Sequence, residues 1–438
     1  MSFGFHPGWV EGYLKRRKIM NRVNNNWGQE ISAGLIGYLT TVYIVVVNSA
    51  ILADAGLDME FGMIATILAS TLGCLLMGFW AKLPLIIIPG MGVNALFTYS
   101  IVQQYDYSYG EGLGVVVIAS LVFVITAFTP IGSYLSRSIP TTLKHGITIG
   151  LGLFLILIGL ENAQLIVSGD HSIISLGDLS SPFVIVSLVT LLIGVLLFVK
   201  NVPANFLITM IVGTMLTFVF GLSEQEPITI SLSSITDGWV APEFHHIGQI
   251  TFWAAVLPLA LVLIFETIGI LQGQVDMLEK PERYKVGSKS SSIAALFSGF
   301  FGTSPTIPAA ENAAVIAAKG RTGLASVVAG VLFLSTILLI PYISMIPANA
   351  ISPILIIVGV LMMQNIKHIN VNDLTEAFPM FLIMFMIPFT YSIADGMAFG
   401  FIAYPLIKYF TGNKEATTPI LWVIAGLFVL EFIVKATM

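Results

Sequence analysis

Three side chains could do chemistry in a chain that is otherwise poor in polar groups. Glu266 lies in "LVLIFETIGIL", Glu311 in "PAAENAAV" and Asn94 in "IIIPGMGVNALF". A charge at the bilayer centre costs about 2.5–3.5 kcal/mol on insertion scales, so an intramembrane carboxylate is read first as functional. Two carboxylates and an amide beside free backbone N–H groups make a poor anion site. They suit a flat neutral solute with several N–H donors and carbonyl or ring-nitrogen acceptors, or a small cation. A buried carboxyl beside a like charge can also load and release a proton. Glu266 and Glu311 are therefore the proton-coupling candidates, with the proton as coupling ion and no further cofactor. Phe265 and Ala310, adjacent to the two glutamates, are candidates for the substrate-site wall. Phe97, Tyr43 and Asn48 could line the same space or simply pack. Asp395 falls near a membrane face and reads as a packing partner. His145, His245 and His246 show no ligand pattern with a cysteine or carboxylate, so no metal site is expected.

The elements that must hold these residues are membrane spans. The 438-residue chain is 56% hydrophobic and only 10% charged, against roughly 25% charged in a soluble domain, and its mean hydropathy is +0.92. Apolar runs of about 17–25 residues recur along it, the length that crosses a hydrocarbon core. We place spans near 27–53, 60–81, 84–103, 112–136, 143–161, 182–200 and 203–221. A second set falls near 249–273, 289–303, 304–318, 321–342, 351–367, 376–393 and 395–410. An apolar segment at 417–436 could cross or lie along the interface. Residues 1–26, with "YLKRRK", read as a cytoplasmic leader. Cys74, the single cysteine, reads as a small buried hydrophobe, and no basic patch suggests nucleic acid.

Charge supports this segmentation. Lys and Arg follow each even-numbered span (Lys82, Arg137, Lys144, Lys200, Lys280, Arg283, Lys285, Lys289, Lys319, Arg321, Lys367, Lys408, Lys414), while 104–111, 162–181, 222–248 and 343–350 contain none. Short cytoplasmic links retain positive charge, which makes the N-terminus cytoplasmic. The segment from Trp27 parallels that from Ile247, and the segment from Ile139 parallels that from Ile346. An odd number of spans per copy inverts the second copy, the sequence signature of many secondary transporters. The expectation is an all-α polytopic membrane protein of about 14 transmembrane spans in a 7+7 inverted repeat. Its parts are a leader (1–26), a first repeat (27–221), an extracellular linker (222–248), a second repeat (249–410) and a C-terminal apolar segment (411–438).

The third span of each copy should be broken. "IIIPGMGVNALF" and "GTSPTIPAAENAAVIAAKG" each set proline ahead of a polar side chain, and proline removes a donor and clashes with the preceding turn. Irregular backbone survives at membrane depth only where protein or a water-filled cavity covers it. Each is read as a short extended stretch leading into a half-helix, with Asn94 and Glu311 at or near the half-helix starts.

These segments also resemble a known family. "PGMGVNALF", "FGTSPTIPAAENAAVIAAKGRTGLASVVAG" and "FPMFLIMFMIPFTYSIADGMAFGFIAY" look like the AzgA-like branch of the nucleobase–cation symporters, the hypoxanthine, guanine and adenine permeases. The resemblance implies a core domain (spans one to four and eight to eleven), a gate domain (five to seven and twelve to fourteen), and proton-driven purine uptake; with no organelle address in the sequence, the plasma membrane is the expected location. It carries substrate-site roles onto Asn94, Glu266 and Glu311. The expected partners are a purine nucleobase and the lipid bilayer, with a homodimer admitted. The chain departs from the family pattern at Glu266, where aspartate is usual, at Asn312, typically serine, and at "IPAA" 307–310, which leaves the preferred base open. On the same fold, an anion transporter of the sulfate-permease type is the alternative.

Overall fold

The computed structural model describes residues 27–169, 172–222, 238–413, 415 and 417–437. The leader expected over 1–26 and most of the linker expected over 222–248 lie outside the described residues. Helices occupy the expected spans, with ends set by the punctuation in the sequence. The first rod, Trp27–Asp54, turns at Val42 and Tyr43 and so divides into α1 (Trp27–Thr41) and α2 (Ile44–Asp54). There follow α3 (Met59–Leu76), α4 (Met91–Ala95), α5 (Tyr109–Phe128), α6 (Ile131–Ser138), α7 (Thr141–Asn162), α8 (Pro182–Val199) and α9 (Asn205–Val219). The second half contains α10 (Ile250–Met277), α11 (Tyr284–Phe301), α12 (Asn312–Ala317), α13 (Gly323–Ser335), α14 (Ile340–Ile343), α15 (Ala348–Met363), α16 (Leu374–Thr390), α17 (Ile393–Phe410) and α18 (Pro419–Thr437). Among the described residues, eight helical rods are long and apolar enough to cross a membrane, so the chain is a helical polytopic membrane protein.

Caps fix several helix starts. Ser108 and Glu111 form a reciprocal capping box at α5, Thr322 caps α13 and Ser392 caps α17; each satisfies backbone donors that a helix start leaves unpaired. Glu30 on α1 accepts from the N–H groups of Arg321 (2.9 Å) and Thr322 (3.1 Å). That puts a carboxylate at the positive end of α13 and ties the first helix to the second half of the chain.

Both expected breaks are present, and they meet. β1 (Ile87–Pro89) pairs antiparallel with β4 (Thr306–Pro308), with Ile87 opposite Pro308, Ile88 opposite Ile307 and Pro89 opposite Thr306, while β2 (Ile166–Val167) and β3 (Ser175–Leu176) pair separately with each other. Around this two-strand ladder the backbone groups find side chains or other backbone. Ala309 N donates to Ile86 O at 2.9 Å and Gly90 N to Pro305 O at 3.2 Å. Asn312 accepts from Ile86 N (2.8 Å) and donates to Ile86 O (3.1 Å). Ser326 Oγ donates to Leu85 O at 2.6 Å, and Gln274 Nε2 to Ala309 O at 2.6 Å. Cys74 is buried as expected but is more than a hydrophobe: its Sγ accepts from Ile87 N at 3.4 Å. Unpaired backbone in hydrocarbon costs several kcal/mol per group, and these partners remove that cost.

The helices cross where glycine lets backbones touch. A Cβ placed on Gly359 of α15 would lie 2.4 Å from Gly152 O of α7, and one on Gly152 would lie 2.6 Å from Gly359 O. Such small-residue contacts are the usual means of close helix approach in membranes. The last three helices run between the same two ends of the molecule. Lys408 at the end of α17 pairs with Glu376 at the start of α16 (2.7 Å). At the other end Lys435 of α18 pairs with Asp395 at the start of α17 (2.5 Å). Asp395 is thus a packing partner, as expected. α18 begins where Thr418 Oγ1 donates to Ser138 O at 3.0 Å.

Candidate functional site

Four candidates meet in one cavity. Phe265 and Glu266 come from the middle of α10, and Ala310 and Glu311 from the turn between β4 and α12; all four line a cavity of about 570 Å³. That lies within the size range of small-molecule sites. Proline at 308 ends the strand, so Ala310 is exposed to the cavity and Glu311 becomes the residue preceding α12. The opposite walls come from α7 (Thr141, Lys144, Thr148, Leu151), from α15 (Val358, Met362) and from Asn365 just beyond it.

The two carboxyls have different surroundings. Glu311 Oε1 accepts from the Tyr43 hydroxyl at 2.6 Å, and Tyr43 is itself 1% exposed and packed on the Phe206 ring at 4.8 Å between centroids. Glu266 Oε2 is buried without a hydrogen-bond partner. A buried acceptor left unpaired is costly, so this oxygen is poised for a donor. Lys144 Nζ stands 5.2 Å from the centre of the Phe265 ring, within cation–π range.

Asn94, read from sequence as a substrate-site residue, is not among the residues lining this cavity. It sits in the first turn of the half-helix that α4 begins and a π-helical stretch, Leu96–Gln103, continues. The residue turned toward the cavity is Gly92, whose Cβ position would lie 2.8 Å from Leu151 Cδ1 and 3.6 Å from Glu266 Oε2. Two residues on, a helix has rotated by about 200°, so the Asn94 carboxamide faces away. Its Nδ2 donates to Asn48 O at 3.3 Å. Asn48 in turn donates to Thr66 Oγ1 (2.7 Å) and Thr303 Oγ1 (3.0 Å), forming a buried polar knot behind the half-helix.

The cavity lining runs to the first turn of α7 and to Asn365 beyond α15. Past Leu151 the other way, Phe154, Tyr99 and Tyr391 meet edge to face, with centroids 5.1–5.7 Å apart. Tyr99 donates to Asp54 Oδ2 (2.6 Å) and Tyr391 to Glu161 Oε2 (3.0 Å), which holds this plug in place.

The sequence reading missed Thr141, Thr148 and Asn365, and it placed Lys144 in a link. For Thr141, Lys144 and Thr148 the signal was the position of "IPTTLKHGITIG" at the entry of a span matched between the two halves. Tyr43 was left undecided and proves to hold Glu311. His245 and His246 showed no ligand pattern in sequence, yet the fold brings them beside Glu243 (3.7 Å) and Glu111 (3.4 Å) at the far end.

Comparisons with known proteins agree on the class. Residues 28–399 match the model of a family described as "Permease family". The nucleobase transporter PlAzg2 of Paenibacillus larvae is 39% identical, over 88% of this chain and 78% of that one. The guanine/hypoxanthine permease PbuO of Bacillus subtilis is 37% identical, over 93% of this chain and 97% of that one. In fold, the transmembrane domain of a cyanobacterium bicarbonate transporter, BicA, superposes with a TM-score of 0.65 at 17% identity, covering 84% of this chain and 97% of that domain. With carboxyls gathered in a membrane cavity and relatives of this kind over most of its length, the chain belongs to the Permease family, in the branch its motifs resembled, and is a transporter and not an enzyme.

Proposed function

We propose that this protein imports purine nucleobases by proton symport. The observation that carries the reading is the pair Glu266 and Glu311 facing one cavity between the apolar surfaces of Phe265 and Ala310. Ring N–H groups of a purine donate to Glu266 Oε2, and the opposite edge donates to Glu311, which Tyr43 orients. Asn94 acts from behind: its bond to Asn48 O fixes the half-helix turn that brings Gly92 against Glu266. Glu266 carries the coupled proton, because it is the carboxyl that meets the cavity with an unpaired oxygen. The relatives named as nucleobase and guanine/hypoxanthine permeases favour a purine.

The proposed architecture is 14 spans in a 7+7 inverted repeat with core and gate domains, α18 adding a further crossing. Antiparallel pairing of β1 with β4 is what a two-fold relation between the copies would bring together. In the plasma membrane with a cytoplasmic N-terminus, the cavity mouth at Lys144 faces the cytoplasm, so the structure is inward-facing.

A second reading, an anion transporter, draws on the likeness to the bicarbonate transporter. Two carboxyls on one cavity oppose it. Uptake of labelled hypoxanthine into cells lacking their own purine permeases, with guanine, adenine, xanthine, uracil and sulfate as competitors and with and without a protonophore, separates the two. Saturable accumulation that purines compete and the protonophore abolishes is expected; inhibition by sulfate and not by purines would overturn it.

A further inference from the structure

A second cavity, of about 600 Å³, opens behind α10. Three cations line it: Arg137 from α6, and Lys285 and Lys289 from the first turns of α11. The spacing of the two lysines, four residues, puts them on one helix face. Thr129 and Ser288 add hydroxyls, and no Asp or Glu is among the lining residues. None of the three cations takes part in an ion pair among the described residues. Three like charges around one space, without a counter-charge, call for an anion.

The surroundings say which anion. Lys289 Nζ stands 4.7 Å over the Phe128 ring, which lies 6.4 Å from the Trp80 ring. Trp80, Phe128 and Tyr134 are all exposed, the arrangement of an aromatic belt at headgroup depth. Deeper in, the wall is apolar, formed by Phe123, Ile264 and Ile268. Charged groups at the rim and hydrocarbon below match a molecule that has a phosphate head and an acyl tail. Basic pockets between spans on the cytoplasmic side are known to take anionic lipid head groups.

We propose that this cavity binds the phosphodiester head group of an anionic phospholipid. Arg137, Lys285 and Lys289 hold the phosphate oxygens with charge-assisted hydrogen bonds, and one acyl chain runs down the apolar wall. Ile268 lines both this cavity and the one holding Glu266, so α10 is the partition between them. An occupied lipid site therefore bears on the helix that carries the transport carboxyl.

The test is native mass spectrometry and thermal melting of the full-length protein in detergent, titrated with phosphatidylglycerol, phosphatidylcholine or inorganic phosphate. Phosphatidylglycerol is expected to stay bound and raise the melting temperature, and phosphatidylcholine is not. Each of Arg137→Gln, Lys285→Gln and Lys289→Gln should weaken phosphatidylglycerol binding about fivefold, the factor for about 1 kcal/mol per basic residue at an anionic surface. The triple variant should retain none. Equal binding of the two lipids, or unchanged affinity in the single variants, would overturn the proposal. Displacement of the lipid by millimolar inorganic phosphate would make this a free-anion site instead. Should the triple variant not fold, Lys285→Gln and Lys289→Gln alone decide, since each leaves two cations in place.

Discussion

The hydroxyl of Tyr43 donates to Glu311 Oε1 at 2.6 Å, joining the turn inside the first rod to the break in the second half of the chain. Tyr43→Phe removes the donor while keeping the ring on Phe206. A hydrogen bond to a charged group contributes about 1.5–3 kcal/mol, so KM for purine should rise roughly 10- to 100-fold with folding intact. Initial-rate uptake and a melting curve on the same variant check both halves.

Glu266→Gln keeps the shape of the side chain and removes its proton. Uptake should still equilibrate purine across the membrane but no longer concentrate it, and a protonophore should have no further effect. Accumulation equal to the parent's would assign the coupled proton to another group.

Asn312 pairs with both backbone groups of Ile86. Asn312→Ala orphans the buried Ile86 N–H, at a cost of about 1–3 kcal/mol, while Ile86 O keeps the bond from Ala309 N. A clear drop in Tm is expected in detergent, with a smaller drop for Asn312→Ser, whose hydroxyl can accept from that N–H.

Lys408 is 2% exposed and lies 2.7 Å from Glu376 Oε1, which also accepts from the Tyr404 hydroxyl. Removing one partner of a fully buried pair costs about 3–5 kcal/mol, and less here because the Glu376 side chain is 24% exposed. Lys408→Ala should therefore lower the melting temperature, whereas Lys408→Ala with Glu376→Gln should recover part of the loss. Equal Tm in the two variants would show that the pair carries no such energy.

Much of this was readable from residue types alone. Helix limits followed Gly, Pro and charge, and the proline-interrupted segments did become the paired strands. Glu266 and Glu311 stood out because carboxylates within spans are few in this sequence, and their neighbours Phe265 and Ala310 came with them. Asn94 does lie at a half-helix start, but the sequence does not mark which face such a helix turns to the cavity. The bonds that Asn312 and Gln274 make to Ile86 and Ala309 were invisible because those partners offer only backbone. His245 and Glu243 needed the fold of a link that carries no periodicity.

The meeting of β1 and β4 also has a consequence for biosynthesis. Asn312 follows Ile86 by 226 residues, and at about 5–20 residues per second the ribosome needs about 10–45 s to cover that distance. For this interval the first broken segment sits at the membrane with its ladder partner not yet made. A nascent chain stalled in the second half before Thr306 is therefore the species that most needs a chaperone or the insertion machinery, and two halves expressed as separate polypeptides should each be short-lived until they find one another.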